Sequence, residues 1–168
     1  MIDLTTDRLK FRQWNANDFE AFAHFFADEA NARYVGGQKN REEAWRLMAT
    51  YIGHYQLNGF SYMAIEDKNT KKLVGCVGLW KSEPWPELEL GYWLLPEMQG
   101  KGYAFEAAQR VKNHALETLK RATLVSYIDP TNEPSQKLAV RLGGVHEKDI
   151  QLLEFGLHRV YRYSNSHS

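Results

Sequence analysis

The segment 87–108 constrains the fold more than any other part of the chain, because a short glycine-rich loop joins a strand to a helix there. Leucine and aromatic residues dominate 88–95 and predict a strand, which Pro96 ends because proline cannot donate to a sheet ladder. Residues 99–104 form the loop, and a helical pattern begins directly after it. Backbone N–H groups at a helix start bind phosphate, so this segment predicts a phosphate-bearing cofactor beside the end of a strand.

Composition limits the class of protein. With 168 residues and 43% hydrophobic content, the chain is long enough for one full core, so 1–168 is predicted to be a single domain. The formal net charge of +0 does not indicate a nucleic-acid partner. No apolar run resembles a signal core or a bilayer span, so no membrane association is predicted. One cysteine excludes an internal disulfide and favours a reducing, cytoplasmic location, and the scattered histidines predict no metal site.

Apolar periodicity predicts the other elements. Strands are predicted over 8–14, 60–66, 73–80, 123–128, 144–150 and 153–163. Helices are predicted after Asn15, after Asn40, after the glycine loop and over 133–142. In the second helix the expected apolar stripe is Trp45, Met48, Ile52 and Tyr55. This order predicts a mixed sheet with helices on both faces and a frayed polar tail at 164–168.

Three known kinds of phosphate loop do not fit residues 99–104. A Walker A loop has Lys and then Ser or Thr directly after its last glycine, where this chain has Tyr103 and Ala104. A Rossmann fingerprint has glycine or alanine at the position of Phe105. A kinase glycine loop connects two strands rather than a strand and a helix. The loop therefore belongs to a different kind of phosphate site.

The sequence QGKGYA at 99–104 resembles the Gln/Arg-x-x-Gly-x-Gly/Ala signature of the GNAT N-acetyltransferase superfamily. The segments TDRL at 6–9, LVGCVGL at 73–79 and ELGYWL at 89–94 resemble the Rim-type branch, which acetylates ribosomal-protein N-termini. The segment NEPS at 132–135, with RLG at 141–143, is similar to the Asn-x-x-Ser…Leu-Gly-Phe segment of that branch. Gly144 stands where the branch usually has Phe, so an unfilled apolar position is expected near the last strands.

The resemblance implies an α/β fold of the GNAT type, a mostly antiparallel twisted sheet of about seven strands with about four helices, splayed between strands 4 and 5. It implies acetyl-CoA as co-substrate, no metal, and a monomer or homodimer. The loop amides would bind the pyrophosphate, and the edge of the fourth strand would pair with the pantetheine arm. The cofactor-binding residues expected from the resemblance are Leu94, Leu95, Gln99, Gly100, Lys101, Gly102, Tyr103, Ala104 and Asn132.

Acetyl transfer to an amine requires a base that frees the amine and an acid that protonates the departing thiolate. Glu89 resembles the strand carboxylate that many GNAT enzymes use, so it is the predicted base; a solvated strand residue is the alternative. Ser135 stands where the branch has a serine near the CoA sulfur, so it is the predicted acid. Helix capping is the alternative role for both Asn132 and Ser135.

The acceptor amine is expected to be either a protein N-terminus or a small molecule. By resemblance the second helix and the loop 82–86 form the walls of its cleft, and the aromatic candidates are Trp14, Tyr34, Trp45, Tyr51, Tyr55, Trp80 and Trp85. Glu83, Glu87 and Glu89 would make such a cleft acidic and favour a cationic amine. Gly91 predicts either a bulge that opens the strand edge or room for a bulky neighbour.

Two other functions stay open at this level. One is a catalytically idle GNAT fold that binds CoA as a sensor or scaffold. The other is a small-molecule binding module whose glycine loop holds a different nucleotide. Turnover of acetyl-CoA separates the enzyme from the sensor, and the binding preference among CoA, ATP and NAD tests the third possibility.

Overall fold

The computed structural model describes residue 1 and residues 3–165. The strands are β1 (Leu9–Arg12), β2 (Tyr62–Asp67), β3 (Leu73–Trp80), β4 (Glu89–Leu94), β5 (Leu124–Ile128), β6 (Val145–Gln151) and β7 (Leu157–Tyr163). The α-helices are α1 (Phe19–Ala27), α2 (Glu29–Ala32), α3 (Arg41–Asn58), α4 (Tyr103–Asn113) and α5 (Glu133–Arg141). Of the tail that is predicted to fray, residues 166–168 lie outside the described residues.

The strands form one seven-stranded sheet in the order β1-β2-β3-β4-β5-β7-β6. Strands β1 to β4 pair antiparallel, as do β5, β7 and β6, whereas β4 and β5 run parallel. The ladder between β4 and β5 pairs Glu89 with Val125, and the two strands then diverge. The predicted mixed sheet, splayed between its fourth and fifth strands, is confirmed, and the divergence leaves one edge of β4 open.

Helix starts follow the predicted caps. Asn15 caps a 3-10 turn, Ala16–Asp18, that leads into α1, and Asn40 caps α3 with Glu43 completing the capping box. The short helix α2 was not predicted, because four residues are too few to show a helical period. It begins after Asp28, whose carboxylate accepts a hydrogen bond from the Ala30 N–H at 2.8 Å. Local capping chemistry therefore sets where each of these helices begins.

Of the apolar stripe predicted for α3, only the first member is wrong, because the other three pack against the core. Trp45 is 58% exposed, whereas Tyr51 and His54 face the core. His54 is held there by two hydrogen bonds: one ring nitrogen lies 2.8 Å from the Phe60 carbonyl oxygen, and the other accepts from the Lys81 N–H at 3.0 Å. A polar side chain with both nitrogens paired can be buried, and a pattern based on hydrophobicity does not anticipate this.

Packing around β4 places the helices on the sheet. The ring of Trp93 stacks on Phe25 of α1 at 4.2 Å and meets Phe22 edge-on at 5.5 Å. Side chains alternate along a strand, so Trp93 and Glu89 lie on the same face of the sheet. The aromatic cluster therefore fixes α1 on the face of the sheet that carries Glu89.

The glycine at 144 leaves no gap. A Cβ atom there would lie 2.8 Å from the Ala139 carbonyl oxygen and 2.9 Å from a ring carbon of Tyr163. Tyr163 is itself buried, and its hydroxyl group lies 2.9 Å from Oγ of Ser126. The expected unfilled apolar position is therefore wrong, because the Tyr163 ring occupies that space.

Candidate active site

A cleft of about 520 Å³ lies where β4 and β5 diverge. Residues from both strands line it, together with residues from α5 and from the segment 33–39 after α2. Glu89 and Ser135, the predicted base and acid, both line this cleft, as does Asn132. The glycine loop at 99–104 lies outside the cleft lining, at the start of α4.

Glu89 is buried, with 8% of its surface exposed. The Tyr62 hydroxyl donates to its Oε1 at 3.1 Å, and the Tyr127 backbone N–H donates to its Oε2 at 3.3 Å. Burial raises the pKa of Glu89 to about 7, although these hydrogen bonds act in the opposite direction. The alternative of a solvated strand residue is therefore wrong. A carboxyl group with a pKa near neutrality is suited to accept a proton from an amine.

Tyr62 reaches Glu89 because two glycines face it across the sheet. The register pairs Tyr62 with Gly78 and Gly78 with Gly91. A Cβ atom on Gly91 would lie 2.5 Å from the Tyr62 hydroxyl oxygen, so the ring position requires glycine there. The ladder between β3 and β4 has no register shift, so the expected bulge at Gly91 is wrong and the alternative of a bulky neighbour is right. Sequence reasoning missed Tyr62; the signal was a glycine in each of the two following strands.

Ser135 and Asn132 combine capping with a placement in the cleft. Asn132 is the N-cap of α5, and its Oδ1 accepts from the Ser135 N–H at 3.4 Å. Its Nδ2 donates to Oγ of Ser135 at 3.0 Å. Because that bond uses a lone pair of Oγ, the hydroxyl hydrogen remains for a second partner. The Tyr92 hydroxyl also donates to the Ser135 carbonyl oxygen at 3.3 Å, which links β4 to α5 across the opening.

The glycine loop turns into α4 through left-handed backbone. Gly100 and Gly102 have φ values of 76° and 81°. Gly102 is the N-cap of α4, and among the described residues no side chain caps it, so the first amides of the helix are left for a ligand. The Tyr103 side chain is not part of such a site, because it is buried and its hydroxyl donates to Asp67 at 2.7 Å. Within the predicted set, Lys101 is exposed and Ala104 is half-buried.

The open edge of β4 distinguishes Leu94 from Leu95. The Leu95 N–H donates to the Val74 carbonyl at 3.0 Å, and its own carbonyl accepts from the following turn, which argues against its predicted pairing with a cofactor. Alternation along the strand points the backbone groups of Tyr92 and Leu94 toward the opening instead. Gln99 approaches this edge, with its Nε2 atom 3.4 Å from the Leu94 carbonyl oxygen. Tyr92 is therefore an edge residue that sequence reasoning missed.

The aromatic wall of the cleft differs in part from the predicted one. The predicted members that line it are Tyr34, Tyr51, Trp80 and Trp85, and the unpredicted ones are Tyr62, Tyr92, Trp93, Tyr127 and Phe155. Trp14 lies instead in the core, where its indole N–H donates to the Tyr62 carbonyl at 2.9 Å. Trp45 is exposed, and Tyr55 lies outside the lining. Tyr55 instead packs against the core, as the stripe predicted for α3 requires.

The prediction of an acidic cleft is wrong. Glu83 lies outside the lining, and Glu87 pairs with Arg162 through two contacts of 3.0 Å. The Asp, Glu, Lys, Arg and His residues that line the cleft are Arg33, Lys39, Glu89, Asp129 and His158. The cleft therefore presents charges of both signs to an acceptor.

Other kinds of site receive no support from the residues that the structure describes. Within 1 and 3–165, no group of three or more His, Cys, Asp or Glu residues could hold a metal ion. Over the same residues, no helix is long and apolar enough to cross a membrane. Cys76 is buried, and burial raises the pKa of its thiol well above the ordinary value, which fits a core residue rather than a nucleophile.

Comparison with known proteins decides the family. Residues 8–145 match the profile of the Acetyltransferase (GNAT) domain. The chain belongs to the GNAT acetyltransferase family. This GNAT protein is 28% identical to the uncharacterized N-acetyltransferase YoaA of Bacillus subtilis (strain 168) over 165 residues, which cover 96% of this chain and 89% of the relative. It superposes on the acetyltransferase from Agrobacterium tumefaciens str. C58 with a TM-score of 0.88 at 32% identity, covering 96% and 94% of the two chains.

More distant solved structures share its fold. The ribosomal-protein-S5-alanine acetyltransferase from Vibrio fischeri is 20% identical with a TM-score of 0.74, covering 99% of this chain and 98% of the other. The spermidine N-acetyltransferase from Vibrio cholerae, solved with CoA and spermine, is 20% identical with a TM-score of 0.72, covering 94% of each chain. The GNAT protein is an acyl-CoA-dependent N-acetyltransferase with acetyl-CoA as co-substrate, and ribosomal-protein acetyltransferases are among its structural neighbours, as the sequence predicts.

Proposed function

We propose that this GNAT protein transfers the acetyl group of acetyl-CoA to a primary amine by direct attack, with Glu89 as the base and Ser135 as the acid. One observation carries the proposal: the buried carboxyl group of Glu89, whose pKa is raised to about 7, lines the same cleft as Ser135. An α-amino group has a pKa of about 8, so proton transfer from it to Glu89 is close to balanced. The base is thus matched to the acceptor near neutral pH.

The proposed reaction has four steps. The ammonium form of the acceptor gives a proton to Glu89, directly or through water. The neutral amine then attacks the thioester carbonyl carbon, and a carbon–nitrogen bond forms in a tetrahedral intermediate. The carbon–sulfur bond breaks, and the hydroxyl group of Ser135 donates its hydrogen to the departing thiolate. The positively charged nitrogen of the intermediate then gives its surplus proton to the Ser135 oxygen, which leaves a neutral amide and the CoA thiol, and Glu89 returns its proton to solvent. The hydrogen bond from Asn132 to the Ser135 Oγ supports this role, because it orients the hydroxyl.

The cofactor would lie along the divergence of β4 and β5. The amides of Gly100, Lys101, Gly102, Tyr103 and Ala104 would bind the pyrophosphate, where the helix dipole favours negative charge. Leu94, together with Tyr92, would pair with the pantetheine arm through the open strand edge. Asn132 would act by holding Ser135, and Gln99 would join the loop to the strand edge through its contact with Leu94.

The acceptor is proposed to be either a protein N-terminal α-amino group or a small-molecule amine. Aromatic side chains around the cleft offer faces that attract an ammonium group. The cationic side chains of Arg33 and Lys39 in the same lining suit an acceptor that also carries a carbonyl or carboxylate oxygen. Among proteins of this fold, one solved relative is named for a ribosomal protein and another for spermidine.

A thiol-release assay with acetyl-CoA and a panel of amines tests the proposed function. The panel pairs short peptides with free N-termini against polyamines, amino acids and aminoglycosides, and N-acetylated peptides serve as the blank. Acceptor-dependent thiol release is expected. Tight CoA binding without turnover by any amine would favour the idle sensor instead. Calorimetry with CoA, ATP and NAD completes the test, since binding to ATP or NAD alone would favour the other nucleotide module.

Three further features are proposals from the sequence: a single domain over 1–168, a monomer or homodimer, and a cytoplasmic location. One cooperative unfolding transition would support the single domain. Light scattering of the purified protein would measure the oligomeric state. The cysteine at position 76, which is free and buried, suits a reducing compartment.

A further inference from the structure

Arg8 lies just before β1, and its guanidinium group contacts both the glycine loop and α4. Its Nη1 donates to the Lys101 carbonyl oxygen at 2.9 Å, and its Nε donates to Oε1 of Glu106 at 2.8 Å. The guanidinium carbon also lies 4.3 Å from the ring centroid of Tyr103. A residue near the start of the chain therefore contacts both the loop and the first turn of α4.

The contact with Lys101 fixes the direction of one loop amide. In a planar trans peptide, the carbonyl of one residue and the N–H of the next point in opposite directions. Since Arg8 holds the Lys101 carbonyl on its own side, the N–H of Gly102 points away from Arg8. A loop carbonyl that turned toward a phosphate would repel it, whereas an N–H donates to it. Arg8 thus favours the loop conformation that suits an anion.

The contact with Glu106 compensates a negative charge. Glu106 lies in the first turn of α4, close to the helix start that is proposed to bind the pyrophosphate. Burial alone would raise the pKa of Glu106, but hydrogen bonds from Thr6 and Arg8 lower it, so this carboxylate stays ionised at neutral pH. An uncompensated carboxylate there would repel a bound diphosphate. Arg8 supplies the opposite charge 2.8 Å away.

We propose that Arg8 is a positioning residue for the cofactor: it orients the peptide between Lys101 and Gly102 and neutralises Glu106. This inference rests on the proposed binding of the CoA pyrophosphate at the loop. It gives the segment at 6–9 a physical role at the glycine loop, which lies outside the lining of the acceptor cleft. Arg8 would act on the cofactor indirectly, through its contacts with the loop and with the first turn of α4.

Calorimetry with CoA on matched variants tests the proposal. Arg8→Ala should weaken CoA binding about tenfold, and the loss should shrink at high salt because it is largely electrostatic. The CoA affinity of Arg8→Lys should lie between those of the unmodified protein and Arg8→Ala. Lysine keeps the positive charge but lacks the planar guanidinium group that donates to two acceptors at once. Arg8→Ala with Glu106→Gln should recover part of the affinity, because the uncompensated charge is gone.

Lys68→Ala is the matched control. The Lys68 ammonium donates to the Thr6 carbonyl, so its loss loosens the same N-terminal segment without removing a contact to the loop or to Glu106. CoA affinity in this variant should equal that of the unmodified protein. Equal losses in Lys68→Ala and Arg8→Ala would overturn the proposal, because they would show only a general loosening of the segment.

Kinetics separate positioning from a merely structural effect. Arg8→Ala should raise the KM for acetyl-CoA while kcat and the KM for the acceptor stay unchanged. With S-acetylpantetheine, which lacks the diphosphate, Arg8→Ala and the unmodified protein should react equally well. An unchanged KM for acetyl-CoA would overturn the proposal, and Arg8→Lys carries the same test if Arg8→Ala does not fold. Failure of the unmodified protein to bind CoA would overturn the proposed function instead.

Discussion

The Tyr62 hydroxyl donates a hydrogen bond of 3.1 Å to Oε1 of Glu89, from β2 to β4 across the intervening strand β3. This bond favours the ionised carboxylate, whereas burial favours the neutral form and raises the pKa of Glu89 to about 7. The two opposing effects set the pH at which Glu89 can accept a proton.

Replacing the base should change the pH profile of the rate. In the unmodified protein, the rate should rise through about pH 7 as Glu89 loses its proton. Glu89→Gln should lower the rate by about 10²-fold or more, and its remaining rise should follow the acceptor amine near about pH 8. Thiol release at saturating acetyl-CoA measures both profiles, with Glu83→Gln outside the cleft as the control. An unchanged profile in Glu89→Gln would remove Glu89 as the base.

The same substitution should alter the pH dependence of stability. The folded-state pKa of Glu89, about 7, lies above its ordinary value of 4.5. Between these two pH values the folded state keeps a proton that the unfolded state loses, so stability falls as the pH rises, by up to about 3 kcal/mol. Glu89→Gln lacks this loss of stability. In urea unfolding, the free energy of unfolding of the variant minus that of the unmodified protein should therefore increase as the pH rises. If this difference in the free energy of unfolding did not depend on pH, burial would not be the cause of the raised pKa of Glu89.

Removing the Tyr62 hydroxyl should shift the rate profile to higher pH. Without its donor, the ionised form of Glu89 is less favoured, and the pKa of Glu89 should rise by about one unit, the size of a hydrogen bond to a charged group. Tyr62→Phe should therefore be slower near neutral pH and recover at alkaline pH. Tyr55→Phe, outside the cleft, is the control and should leave the midpoint in place. If the midpoint of the pH–rate profile of Tyr62→Phe stayed in place or moved to lower pH, the Tyr62 hydrogen bond would not be what favours the ionised form of Glu89.

Substitutions at Ser135 and Asn132 should affect kcat more than CoA affinity. Ser135→Ala should lower kcat more than it lowers CoA affinity, because it removes a hydrogen donor to the departing sulfur. Asn132→Asp keeps a good N-cap but replaces the donor that holds the Ser135 Oγ at 3.0 Å, so kcat should fall while stability is retained. Steady-state kinetics, calorimetry with CoA and thermal unfolding measure the three quantities. A loss of CoA affinity without a loss of kcat would make Ser135 a binding residue.

Local signals in the sequence were sufficient for the strand, loop and helix at 87–108. Pro96 ends the strand, glycines make the turn, and an apolar helical face follows at once, so each boundary is set by neighbouring residues. The caps at Asn15 and Asn40 were predictable for the same reason. The burial of His54 in α3 was not, because it depends on partners from later parts of the chain.

The candidate site was predictable in its residue types but not in its electrostatics. The sequence places Glu89 on a strand, but burial and the Tyr62 contact, which depend on sheet register, decide its pKa. Arg162 from the last strand neutralises Glu87, which changes the charge expected for the cleft. Such effects arise from residues that are distant in the chain and meet only in the fold.

The close approach of Tyr62 to Gly91 allows a test by a single added methyl group. A Cβ atom at this position would lie 2.5 Å from the Tyr62 hydroxyl oxygen, and the ring cannot easily move because it stacks on Trp80 at 5.0 Å. Gly91→Ala should therefore lower the free energy of unfolding by about 1–3 kcal/mol and move the rate midpoint to higher pH, as Tyr62→Phe does. Gly53→Ala is the matched control: it lies inside α3 with nothing within 4 Å of the added Cβ. That control should raise the free energy of unfolding by about 0.5–1 kcal/mol and leave the rate profile unchanged. If Gly91→Ala kept both the stability and the midpoint of the unmodified protein, Tyr62 would not need this glycine to reach Glu89.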